Sequence, residues 1–156
     1  MKSKTVAQSK ITLAQVMGPT DANTLGNVHG GIIMKICDEA GAMAAVRHAG
    51  RPVVTVTVDS MRFHSPVHVG NLMFVDACVT WIGRTSIETR VTVRAENVAT
   101  GKTTHTNTAY FVYVALGEDG RPMEVPRITP ETAEEISAYE KGELRRKLRL
   151  QLAEAN

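Results

Sequence analysis

An α+β fold, with one antiparallel sheet curled around a single long helix, is predicted by three features of this sequence. Residues Asn23 to Ala45 read as a turn-rich loop followed by a helix that is apolar nearly all round. After Gly50 the pattern changes to period two and stays strand-like as far as Leu116, interrupted only by short turns. Short links between consecutive strands require antiparallel pairing, and a helix apolar on every side needs a partner that surrounds it. Such a sheet keeps two open edges, which dimerisation can pair.

Length and charge narrow the class. At 156 residues and 16.9 kDa the chain fits one domain with a full core. A formal charge of +2, without aromatic residues interleaved among the cations, gives no electrostatic case for a nucleic-acid partner. The basic start MKSKTVAQSK is not followed by an apolar segment, and nowhere do eighteen apolar residues run together. No export signal or membrane span is expected, and the reading is a cytoplasmic protein. Cys37 and Cys78 belong to no C-x-x-C pair and sit among apolar neighbours, as reduced core thiols would.

In chain order, residues 1–9 read as a flexible tail, 10–128 as the domain and 129–156 as a C-terminal helical extension. Lys10 to Met17 suggests a first strand, and Gly18 to Val28 is turn chemistry in which no regular element is expected. In the central helix Ile33, Ile36, Cys37, Ala40 and Ala44 share one face, with Lys35 and Glu39 roughly opposite and placed to pair one turn apart. Val54, Val56 and Val58 alternate with Thr55, Thr57 and Asp59; further strands follow over Leu72–Ile82, Ile87–Val98 and Thr103–Leu116. Arg121 to Thr129, with two prolines, is expected to lie extended over the sheet. Thr129-Pro130 then opens a helix, with an overlapping capping box from Thr132 and Glu135. Its thin apolar stripe of Ile136, Tyr139, Leu144, Leu148 and Leu152 suits a solvated terminal helix.

Candidate chemistry gathers at the central helix. His29-Gly30-Gly31 opens it, where unpaired N–H groups and the helix dipole suit an oxyanion or a polarised carbonyl and two glycines admit close approach. Asp38 lies seven residues after Gly31, beyond the reach of the dipole, among small residues and without a partner on its own helix. A carboxylate so placed either is satisfied by a neighbouring hydroxyl or arginine or acts as a general base or nucleophile. Asn23 in the preceding loop offers a neutral amide that orients water or substrate. His64 and His68 flank Pro66 and lack a further ligand, so a metal site is not expected.

These residues stand in a recognisable order: Asp21-Ala-Asn23, Gly26-Asn-Val-His-Gly-Gly31, Lys35, Asp38-Glu-Ala-Gly41 and Arg47-His48, then Val58-Asp-Ser-Met-Arg-Phe-His-Ser-Pro66, Thr85-Ser-Ile87, Val125-Pro126 and Thr129-Pro-Glu-Thr132. The chain resembles the hotdog-fold acyl-CoA thioesterases, and within them the cytosolic acyl-CoA hydrolase group of single-domain bacterial enzymes and the two-domain brain acyl-CoA hydrolase of animals. The resemblance implies a sheet of about five strands wrapped around the helix. It also implies protomers that join their sheets as dimers and assemble as hexamers (trimers of dimers), with active sites at the dimer interface. It assigns Asp38 as general base or nucleophile and the partner's Asn23 as the residue that positions water. Gly31 is then the backbone donor to the thioester carbonyl, His29 and Gly30 line it, and Arg84, Thr85 and Ser86 match the segment that contacts coenzyme A. No cofactor is implied, coenzyme A being part of substrate and product. A hotdog hydratase and a non-catalytic acyl-CoA-binding regulator are the other classes. The first uses a histidine with an acid in a different motif context; the second has only the basic terminal helix in its favour.

Overall fold

The structure is a computed structural model and describes all residues, 1–156. The central sheet has five strands: β2 (Ile11–Val16), β3 (Val53–Phe63), β4 (Leu72–Ile82), β5 (Ser86–Glu96) and β6 (Thr103–Ala115), in the order β2-β4-β5-β6-β3 and antiparallel throughout. The long helix α1 (Gly30–Ala49) lies in its concave face, and a second helix, α2 (Ala133–Ala155), packs against β4 from outside. This is the expected α+β arrangement; the helix opens after His29 as expected and runs on to Ala49, and four of the strands fall within two residues of the expected bounds.

Glycine and alanine let α1 sit deep. Ile33, Ile36, Cys37, Ala40, Ala44 and Ala45 are buried, and they join the core formed by Met73, Val75, Val91, Val93, Ala109 and Phe111 on the sheet. Gly50 ends the helix in the left-handed region at φ 68°, with its N–H bonded to Val46 O at 2.7 Å. Lys35 and Glu39 form the expected surface pair at 3.5 Å, and both cysteines are free and buried.

Four expectations are corrected. The first nine residues are not a loose tail: β1 (Lys4–Thr5) pairs in parallel with β7 (Ile128–Thr129), a 3-10 turn follows at Ala7–Ser9, and Val6 and Ser9 are buried. A second 3-10 turn, Pro19–Asp21, breaks the loop before α1. Helix α2 starts three residues late. Thr129 is taken by β7, so the cap falls to Thr132, whose side chain accepts from Glu135 N–H at 3.1 Å while Glu135 answers Thr132 N–H at 3.3 Å.

The fourth correction concerns how α2 is held. Its stripe of Ile136, Leu144, Leu148 and Leu152 faces solvent, and the face that docks carries Gly142, Arg145 and Arg149. Glu88 of β5 is wholly buried beneath it. Arg145 donates to both Glu88 oxygens, at 2.8 and 2.9 Å, and Thr80 Oγ1 adds a third bond at 2.6 Å. Arg149 lies 3.5 Å from Glu88 and bonds to Asp59 of β3, while the Arg145 guanidinium stacks on Tyr110, 3.7 Å from its centroid. A Cβ on Gly142 would lie 2.7 Å from Trp81 Cβ and 2.9 Å from Glu88 Oε1, so only glycine lets the helix descend onto this acid.

At the far end of α1, His48 is buried with one ring nitrogen 2.7 Å from Pro126 O and the other, Nδ1, without a partner. Burial, more than the nearby Lys4 charge, lowers its pKa from the ordinary value, against the raising effect of the Pro126 carbonyl. In the unfolded chain His48 takes up a proton at about pH 6.5 that the folded site refuses. Stability therefore holds above that pH and falls as the medium is acidified through it. Urea unfolding of the wild type should show a larger loss between about pH 7.5 and about pH 5.5 than His48→Gln does. Equal losses would remove His48 from the account.

Candidate active site

The loop before α1 is closed by its own backbone. Asn23 N–H bonds to Asn27 O at 2.7 Å, and Gly26 turns the chain at φ 84°, a conformation that favours glycine. Asn23 Oδ1 is spent inside this turn, accepting from Leu25 N–H at 2.9 Å and Asn27 N–H at 3.2 Å. Its Nδ2 makes no hydrogen bond within the chain, so the amide has its donor end free.

His29 caps α1. Its Nδ1 accepts the Gly31 N–H at 2.9 Å, and its carbonyl takes Ile32 N–H at 3.0 Å and Ile33 N–H at 3.3 Å. Gly31, expected to polarise a carbonyl, thus has its hydrogen engaged and can offer it only when the imidazole moves aside. The Gly30 N–H makes no hydrogen bond, and a groove lined by Asn23, Asn27, Gly30, Phe63 and His64 runs beside it.

Asp38 is half-buried on α1. Two side chains that sequence reasoning did not single out meet its Oδ1: Thr55 Oγ1 of β3 donates at 2.9 Å and the Tyr113 hydroxyl of β6 at 3.0 Å. Thr55 and Tyr113 are register partners on neighbouring strands, which places both under the same turn of the helix. Asp38 Oδ2 accepts nothing from the chain. Both readings of this acid keep support: neighbouring hydroxyls satisfy Oδ1, and Oδ2 is left without a donor from the chain.

Within one chain these parts do not meet. Gly31 and Asp38 are about 10 Å apart along the helix axis, at about 1.5 Å per residue, and Asn23 makes no hydrogen bond to Asp38. Of the segment matched to coenzyme A contact, Arg84 is exposed with a loose pair to Glu124 at 3.9 Å, Thr85 is half-buried and Ser86 is buried. The segment lies at the sheet end where β3 begins, as the pairings of Ser86 with Val114 and Val53 with Ala115 show. That is the Thr55 end of the fold, away from Asn23.

Comparison with known proteins adds independent evidence. The family model of the thioesterase superfamily matches residues 25–102. The cytosolic acyl coenzyme A thioester hydrolase of Mus musculus is 36% identical over 140 residues, 88% of this chain; the chain spans only 37% of that protein's length. Among solved structures, an apo-hexameric acyl-CoA thioesterase superposes with a TM-score of 0.94 at 36% identity, covering 98% of both chains. An acyl-CoA hydrolase from Staphylococcus aureus, solved with butyryl coenzyme A, coenzyme A and coenzyme A disulfide, gives 0.89 at 31% identity over 98% of this chain and 95% of its own. The motifs around α1, the helix-wrapping sheet and these matches agree: the chain belongs to the thioesterase superfamily, with the hotdog fold.

Proposed function

We propose that this protein is an acyl-CoA thioester hydrolase, releasing a free fatty acid and coenzyme A at sites shared between two copies of the chain. The observation that carries the reading is Asp38: a half-buried carboxylate on the helix that the sheet wraps, held by two hydroxyls of that sheet through one oxygen, with the other free of any donor from the chain. That acid is either the base that activates water or the nucleophile itself. The thiolate of coenzyme A leaves readily, so the reading needs no second acid and no cofactor or metal.

Distance supports the sharing. Asn23 and the start of α1 lie too far from Asp38 in one chain to act on the same carbonyl. A two-fold axis that pairs edge strand β3 with its copy brings the start of one helix towards the middle of the other. Strand β3 supports this pairing. It is an edge strand whose Val54, Val56 and Val58 are exposed, and Met34 and Met43 of α1 are exposed as well. The first-turn N–H groups of one helix, Gly30 directly and Gly31 in competition with His29, then draw charge onto the thioester oxygen. Asn23 of that same chain, the partner of the chain that supplies Asp38, donates through Nδ2 to the water or substrate. The nucleotide end of coenzyme A rests near Arg84. The hexameric solved relative supports further assembly as a trimer of dimers. No helix is long and apolar enough to cross a membrane, and the cytosolic name of the mouse relative favours the same compartment here.

Incubating the protein with acyl-CoAs of several lengths and titrating free thiol tests the reading. Thiol release establishes hydrolysis; hydration of an enoyl-CoA, or binding without turnover, would replace it with one of the other two classes. Sharing has its own test. Asn23→Ala and Asp38→Ala subunits are each inactive, but a mixed dimer rebuilds one complete site, so random mixing should restore about a quarter of the wild-type activity. No recovery in isolated mixed dimers would place the whole site within one chain.

A further inference from the structure

We propose that Tyr113 is a positioning residue for this reaction, fixing the Asp38 carboxylate so that Oδ2 alone meets the attacking water or the thioester carbon. The inference rests on the hydrolase reading above and deepens it. A carboxylate on an exposed helix face rotates and presents either oxygen. Here Oδ1 is occupied twice, by Thr55 and by Tyr113, whereas Oδ2 receives no donor from the chain. The tyrosine hydroxyl also lies 3.0 Å from the Asp38 backbone carbonyl, so a single phenol grips both the side chain and the turn of helix that bears it.

The helix is built to admit that hydroxyl. Gly41 stands one turn after Asp38, less one residue, and a Cβ there would lie 2.5 Å from the Tyr113 hydroxyl and 2.8 Å from Thr89 Oγ1. Any side chain at 41 would drive the phenol out. Thr89 Oγ1 is buried on the same side, and the hydrogen bonds that the phenol donates go to Asp38. Tyr113 is fully buried and stacks on Phe111 with ring centroids 6.2 Å apart, so its ring has a packing role that phenylalanine would also fill. The hydroxyl is what the core alone does not require.

The phenol is a permanent donor. Burial, the Asp38 charge and the hydrogen bond to Asp38 all raise its pKa well above the ordinary tyrosine value, so it keeps its proton wherever the protein is folded. The thiol next to Asp38 does not compete for this role, because burial pushes Cys37 up to about 12 and leaves it a neutral core group.

Tyr113→Phe keeps the ring and deletes the donor. In purified enzyme, kcat should fall roughly 10- to 100-fold while KM stays within about twofold, because an ionised acceptor loses one of two hydrogen bonds and its orientation, not its substrate contacts. Gly41→Ala, which displaces the hydroxyl from the helix side, should give the same split with Tyr113 intact. In an Asp38→Asn background Tyr113→Phe should add little further loss, since its effect passes through Asp38. A wild-type kcat in folded Tyr113→Phe, or losses that multiply in the double variant, overturns the inference. If the wild type itself releases no thiol, the hydrolase reading falls and this inference falls with it. An active wild type, an inactive Asp38→Asn and an unaltered Tyr113→Phe sink the inference alone.

Discussion

Asp38→Asn should lower thioester hydrolysis by about 10²- to 10⁴-fold, the range a positioned base contributes, while the protein folds and assembles as before. Asparagine is the informative substitution because it keeps the shape and half of the chemistry. Its carbonyl oxygen can take the place of Oδ1 and accept from Thr55 and Tyr113, so neither buried hydroxyl is orphaned. Its amide nitrogen then occupies the place of Oδ2, where it can neither take a proton from water nor attack a carbonyl. Binding of coenzyme A should survive, since nothing charged is removed from the Arg84 end of the fold. Stability should hold or rise slightly, because an acid retained for catalysis in a half-buried place is seldom the most stable choice. The measurement is thiol release by purified Asp38→Asn, with a melting curve to show that it is folded. A native rate would remove Asp38 from the mechanism, and a collapsed melting curve would show the acid to be structural instead.

The sequence made Asp38 conspicuous because it is an acid in an apolar helix with no partner one turn away, and helix phase alone separated it from Glu39, which Lys35 satisfies. The strands were legible for a similar reason: alternation and turn residues are local signals. What holds Asp38 was not legible. Thr55 reads as one polar member of a Val-Thr alternation, and Tyr113 has nothing local to mark it within the strand Thr103–Leu116. Nothing local says that the alternation breaks between Thr55 and Thr57, so that Thr55, opposite Tyr113, and Val58, opposite Phe111, share the side that faces the helix. Glu88 was hidden in the same way. Within Ser86–Glu96 nothing local marks it as buried, yet it is wholly buried, because the cover comes from Gly142 and Arg145, more than fifty residues later. Thr129 failed as a cap through a contact still more distant in sequence, the pairing of β7 with Lys4–Thr5. Local pattern therefore located the elements and the candidate acid, and long-range contact decided which polar groups meet them.

The cover over Glu88 leads to the second large effect. Arg145→Met should destabilise the fold by about 3 kcal/mol, within the range for breaking a buried ion pair from one side. Methionine preserves much of the stem that lies against Tyr110 and removes the guanidinium that makes two bonds to Glu88. Glu88 is then left in the core with Thr80 and a more distant Arg149, and the desolvation of its charge is no longer offset. The converse loss is smaller: without Glu88, Arg145 and Arg149 are near enough to the surface to turn to water. Asymmetry of this kind predicts non-additivity. Glu88→Met combined with Arg145→Met should be more stable than Arg145→Met alone, because an apolar pair of similar volume carries no stranded charge. Successive residues of β5 face opposite sides of the sheet, so Glu88 meets α2 while Thr89 meets Gly41 and Tyr113 beneath Asp38. Loosening α2 should therefore reach the active acid through one strand, and urea unfolding of the three variants, with kcat followed in parallel, measures both effects. A double variant whose loss equals the sum of the single ones would show that the pair contributes nothing beyond its separate contacts.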